Sequence, residues 1–176
     1  MVKFIKFISY TVFFVFMLIV FLPKENLYYF LKKELHQYNI TLKEEHIDEG
    51  VFSLSLDKLE INYEGMDVAE ILKLETECYL FLNIVTVENI QLSSLVESYI
   101  PREIQHMRVE YSILHPLSIR FEADGKFGDV AGEFSLMERA FVVRVKLKKM
   151  MEQKYKKSLR YLKKLKTGEY IYEKAL

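Results

Sequence analysis

The chain has 176 residues, with 25 basic and 25 acidic side chains and no net charge. That balance hides an asymmetry, since residues 148–166 are eight charges positive, Lys3 and Lys6 add two, and the rest of the chain is ten negative; nucleic-acid binding is disfavoured by the extracytoplasmic location predicted below. Apolar residues make up 51%, enough for a core, and the lone cysteine, Cys78, excludes an internal disulfide, so stability must come from packing.

From the N-terminus, Lys3 and Lys6 precede an uncharged run from Phe7 to Leu22. Counted from Phe4, with Lys6 snorkelling, a helix to Leu22 is about 28 Å long, against a hydrocarbon core of roughly 30 Å. The exit Val20-Phe21-Leu22-Pro23 lacks the small residues a signal peptidase requires. The pattern therefore predicts a retained transmembrane helix, Phe4 to Leu22. Lys3 and Lys6 lack acidic neighbours while Lys24 is offset by Glu25, which predicts a cytoplasmic N-terminus. Residues 1–23 then form a tail and anchor, and residues 24–176 a single extracytoplasmic domain.

After Pro23, Leu27, Phe30, Leu31 and Leu35 recur at helical spacing. Beyond Asn39 the period becomes two: Ile40 and Leu42, then Phe52, Leu54 and Leu56. At Asp57-Lys58 the alternation slips by one and continues as Leu59, Ile61 and Tyr63; it slips again at Glu88-Asn89, between Val87 and Ile90. A repeated slip of this kind is the signature of β-bulges. Between the slips, Ile71 to Leu82 reads as one long strand, with Leu72, Leu74, Leu80 and Leu82 on one face and Lys73, Glu75 and Glu77 on the other. Ser93 to Tyr99 reads as a brief helical excursion. Alternation resumes from Met107 to Ile113 and from Leu117 to Ala123. Asp124-Gly125 is a turn signal, and strands follow over Val130–Leu136 and Phe141–Leu147.

Between Lys148 and Lys166 nine basic residues face a single acid, Glu152, while Met151, Tyr155, Leu159, Leu162 and Leu165 space out an apolar stripe. This predicts one late amphipathic basic helix, capped at Gly168 and followed by a strand through Tyr170 and Tyr172. The predicted fold is α+β, mainly β: an N-terminal transmembrane helix, a curved, bulged antiparallel sheet and that late helix.

Catalytic and metal-ligand patterns are absent. The four histidines have neither H-E-x-x-H spacing nor a cysteine partner, and no phosphate loop or nucleophile elbow occurs. A non-enzymatic protein without cofactor is expected. Two sets of residues are candidates for binding. Leu54, Leu56, Leu72, Leu74 and Leu80 would line an apolar groove for phospholipid acyl chains, and Lys156, Lys157, Arg160, Lys163 and Lys164 would meet an anionic surface or an acidic partner.

The stretch Phe52-Ser53-Leu54-Ser55-Leu56-Asp57-Lys58-Leu59-Glu60-Ile61, with Val87-Glu88-Asn89-Ile90-Gln91-Leu92 repeating its slip, resembles the opening of envelope proteins of the AsmA kind. Gly132-Glu133-Phe134-Ser135-Leu136 through Gly168-Glu169-Tyr170-Ile171-Tyr172 is similar to the end of the type II secretion system protein N family. The resemblance implies a bacterial inner-membrane protein with a periplasmic grooved β-sheet. It would act as an accessory or assembly component of a secretion or envelope system through protein contacts, or alternatively handle lipid. It supplies no catalytic or binding residue.

Overall fold

The structure, a computed structural model, describes residues 2–79, 81–94, 100–156 and 158–175. Two helices, α1 (Val2–Val20) and α2 (Lys24–His36), precede a sheet of eleven strands. These are β1 (Ile40–Lys43), β2 (His46–Glu49), β3 (Ser53–Tyr63), β4 (Met66–Cys78), β5 (Leu82–Leu92), β6 (Glu103–Ser112), β7 (Ser118–Gly125), β8 (Gly128–Ser135), β9 (Ala140–Leu147), β10 (Lys163–Lys164) and β11 (Tyr170–Ala175). The third helix, α3 (Lys149–Lys154), lies between β9 and β10. Strands pair antiparallel in the order β1-β3-β4-β5-β6-β7-β8-β9-β11-β10, and β2 also pairs with β3. The protein is a mainly-β meander.

Successive hairpins place the connections alternately at the two ends of the sheet. The turn Glu64-Gly65, with φ of 51° and 81°, suits the tight reversal from β3 to β4. α2 lies on β1, β2 and β3, and its Tyr28 joins Leu42, Leu54, Leu56, Leu59, Ile71, Val87 and Ile90 in the core. Glu49 of β2 satisfies the start of this helix by accepting the Lys24 backbone N–H at 2.9 Å, since Pro23 offers no side-chain cap. The Lys24 ammonium, buried at the same corner, donates to the Leu22 carbonyl at 3.3 Å.

The slips at Lys58 and Asn89 belong to a crease that crosses four strands. Asp57 pairs with Lys73 and Leu59 with Ile71, leaving Lys58 opposite Leu72. Likewise Leu72 faces Asn89 between β4 and β5, and Asn89 faces Gln105 between β5 and β6. Lys58 and Asn89 adopt φ of 49° and 52°. Because each strand spends an extra residue at the same level, register survives while the core-facing set switches phase, from Leu56 to Leu59, Leu74 to Ile71, Val87 to Ile90 and Met107 to Ile104.

Several expectations are corrected. No helix among the described residues is long and apolar enough to cross a membrane, which overturns the transmembrane helix Phe4–Leu22. α1 ends at Val20, and Lys3, Lys6, Ser9, Tyr10 and Thr11 occupy its first half. That leaves Val12–Val20, about 13 Å of uninterrupted apolar helix against a core of roughly 30 Å. The late basic helix is also not one helix: α3 stops at Lys154, a 3₁₀ turn spans Ser158–Tyr161, and Lys163–Lys164 pair as β10 with β11. Cations recurring at helical spacing, such as Lys156 and Arg160, repel along a helix face. Gly168, φ 88°, therefore closes the β10–β11 hairpin and caps no helix. Asp124 and Gly125 end β7, and the turn is Lys126-Phe127. The expected long strand stops at Cys78. Most of the expected excursion over 93–99 lies outside the described residues.

Candidate ligand-binding face

Period-two alternation gives each strand one apolar and one polar face, and the register decides which residues become neighbours. Beyond the crease it aligns two apolar rows across six strands. One runs Val85, Val109, Phe121, Gly132, Val143, Tyr172. The other runs Val87, Met107, Ala123, Val130, Val145, Tyr170. At 4.7–4.9 Å between strands, each row is about 24 Å long. Apart from Val87 these residues are half-buried, and among the described helices only α2, over β1–β3, packs extensively on the sheet. The rows are thus an apolar strip beyond the strands on which α2 packs.

Within the strip, Phe121 lies across the strand from Gly132, where any Cβ would fall on the Phe121 ring. The missing side chain lets Phe121 lie flat and stack on Phe141, with centroids 5.6 Å apart and planes 12° from parallel. The opposite face of the same strands is charged. It carries Arg108 with Glu110 at 2.7 Å, His106 Nδ1 3.6 Å from Asp124, and Lys126 bound to Glu103 at 2.7 Å. The Lys126 hydrogen bond holds the Glu103 carboxyl below its ordinary range. A cavity of about 600 Å³ is lined by His106, Arg108, Glu122, Asp124 and Asp129 of that face together with Met107, Ala123 and Val130 of the rows. Among the described residues no three His, Cys, Asp or Glu side chains converge to hold a metal ion.

The residues picked out from the sequence for a groove fall elsewhere. Leu54 and Leu56 are buried in the core that α2 seals, and Leu74 packs against that core. Leu72 occupies the crease and is 50% exposed, lining a depression on the polar side with Glu70, Gln91 and Gln105, so it does not share a face with Leu74. Leu80 lies outside the described residues. Of the basic set, Lys156, Arg160 and Lys163 are exposed and Lys157 lies outside the described residues. Lys164 is engaged by Glu152 at 3.1 Å and sits 5.0 Å from the Tyr170 ring centre. The strip residues of β6 to β11 escaped because alternation shows that a strand has an apolar face, not which faces align. A glycine within strong alternation, Gly132, was the available signal of a cross-strand aromatic.

Comparison with family models, with curated proteins and with solved structures finds no match to this chain. No family evidence therefore supports the AsmA-type or secretion expectation, and with no helix among the described residues long and apolar enough to cross a membrane, the single-pass inner-membrane localisation is not supported.

Proposed function

We propose that the protein is a non-catalytic binding module that receives long apolar chains of the acyl type, such as those of a phospholipid, along the strip across β5 to β9 and β11. The observation that carries this reading is the pair of apolar rows, uninterrupted over six strands and backed by a charged face. An extended chain laid across the strands would touch Val109, Val130, Val143 and Val145 and rest on the Phe121 ring. The strip itself holds no titratable group besides the tyrosines at its β11 end, so affinity would come from apolar area, at roughly 25 cal/mol per Å².

Titration of the full chain with a monomeric fluorescent fatty acid tests this. Val130→Glu and Val143→Glu should each weaken binding roughly tenfold or more, the equivalent of one fully desolvated valine. Ala131→Glu, one residue along and on the charged face, should leave it unchanged. Equal affinity in all three variants would refute the assignment of the strip.

A further inference from the structure

The connections gathered at one end of the sheet differ in chemistry from those at the other. At the end where α1 joins α2 lie the loops β2–β3, β4–β5, β6–β7 and β8–β9, and each presents exposed apolar side chains. Leu114 is 74% exposed, Met137 72%, Val51 58% and Phe81 56%. The only charged groups in the described segments 50–52, 79–81, 113–117 and 136–139 are Glu138 and Arg139, with His115 titratable. At the other end, the connections carry Glu64 and Lys126, and the chain leaves β9 there into the basic segment that begins at Lys148.

The four apolar loops form one row, because backbone hydrogen bonds tie neighbours together. Cys78 N–H donates to Phe52 O at 2.7 Å, Ile113 N–H to Phe81 O at 3.0 Å, and Leu136 N–H to Leu117 O at 2.7 Å. α1 continues the row. Phe16 lies 6.1 Å from Phe52, and Phe52 6.0 Å from Tyr79, between ring centres. Along α1, Phe4, Phe7, Phe13 and Phe14 are all more than half exposed. Exposed aromatic rings gathered in this way favour apolar surroundings.

We propose that this end of the molecule is a lipid-contact rim. The tips Val51, Phe81, Leu114 and Met137 enter the headgroup–acyl boundary of a lipid surface, with α1 beside them in the same phase. Contact at the boundary reaches only about 5–10 Å deep and requires no crossing helix. The shape favours lipid over protein. Separate tips along a narrow edge suit a fluid phase that fills the gaps, whereas a stable protein interface needs a continuous patch of about 800 Å² per partner. The scarcity of charge along the row makes contact independent of anionic headgroups, and it sets the basic segment at the far end apart from the lipid. This inference does not rest on the acyl-binding strip, which lies along the sheet face.

The chain contains no tryptophan, so single reporters can be introduced into the full-length protein. L114W and M137W probe the rim, and Y63W probes the opposite end. With neutral phosphatidylcholine vesicles carrying brominated acyl chains, the reporters at 114 and 137 should be quenched at low and high salt alike, and that at 63 should not. Leu114→Glu combined with Met137→Glu should lower vesicle partitioning about tenfold or more, with unchanged circular dichroism and unchanged binding of monomeric fatty acid. Four results would overturn the proposal: no vesicle binding; vesicle binding with unquenched rim reporters, which would leave α1 alone in contact; binding that requires anionic lipid and vanishes in salt, which would point to the basic segment; or rim reporters shielded in a lipid-free dimer.

Discussion

Truncating Glu44, in the turn between β1 and β2, tests how α2 is held on the sheet. The Tyr28 hydroxyl donates to its Oε2 at 2.6 Å, and the Lys32 ammonium to both oxygens at 2.7 and 2.8 Å. Tyr28 is buried and Glu44 nearly so, while Lys32 is about a third exposed. A hydrogen bond to a charged acceptor contributes about 1.5–3 kcal/mol. The Lys32 share is discounted toward the roughly 0.2–1 kcal/mol of a solvent-screened pair. Glu44→Ala should therefore cost about 2–3 kcal/mol at neutral pH, including the orphaned Tyr28 hydroxyl. Burial alone would raise the Glu44 pKa, but the hydrogen bonds from Lys32 and Tyr28 outweigh it and hold the carboxyl below its ordinary 4.5. A depressed carboxylate contributes stability that is complete above the unfolded value and is lost as pH falls through the folded one. Urea unfolding followed by circular dichroism should thus show a gap between wild type and Glu44→Ala that is constant above about pH 5 and narrows below about pH 4.5. No gap at neutral pH, or a gap that persists undiminished into acid, would refute the reasoning.

Other substitutions probe the strip and the crease. Gly132→Ala should displace the Phe121 ring from Phe141 and cost about 1–3 kcal/mol, read from the urea midpoint, while also weakening fatty-acid binding. Asn89→Val forces a β-branched residue to positive φ and should cost about 1–2 kcal/mol, whereas Asn89→Gly should stay within about 1 kcal/mol of wild type; equal losses would show that the left-handed conformation is not what the site requires. Deleting Lys58 removes the extra residue from β3 while β4 keeps Leu72, so Leu54 and Leu56 or else Leu59 and Ile61 must leave the core; loss of cooperative thermal unfolding is expected, and an unchanged transition would refute the crease.

Local periodicity made much of the chain legible. The helix after Pro23, the strands and the slips at Lys58 and Asn89 follow from neighbours within a few residues, because side-chain direction alternates along a strand and the slip breaks that alternation. The same reasoning misjudged α1, where an uncharged run was read as apolar throughout although Ser9, Tyr10 and Thr11 interrupt it, and the basic segment, where apolar spacing at Met151, Tyr155 and Leu159 outweighed the like-charge repulsion along a helix face. It also grouped Leu72 with Leu74, since nothing local shows that β4 must match the creases of its neighbours. Sequence alone determined that each strand has an apolar side, because that is a property of successive residues. Tertiary structure alone decided that Phe121 faces Gly132, that α2 seals Leu54 and Leu56 but packs away from Val130 and Val143, and that four apolar loops meet at one end, because strand register, helix placement and hairpin direction are set by contacts between residues distant in the chain.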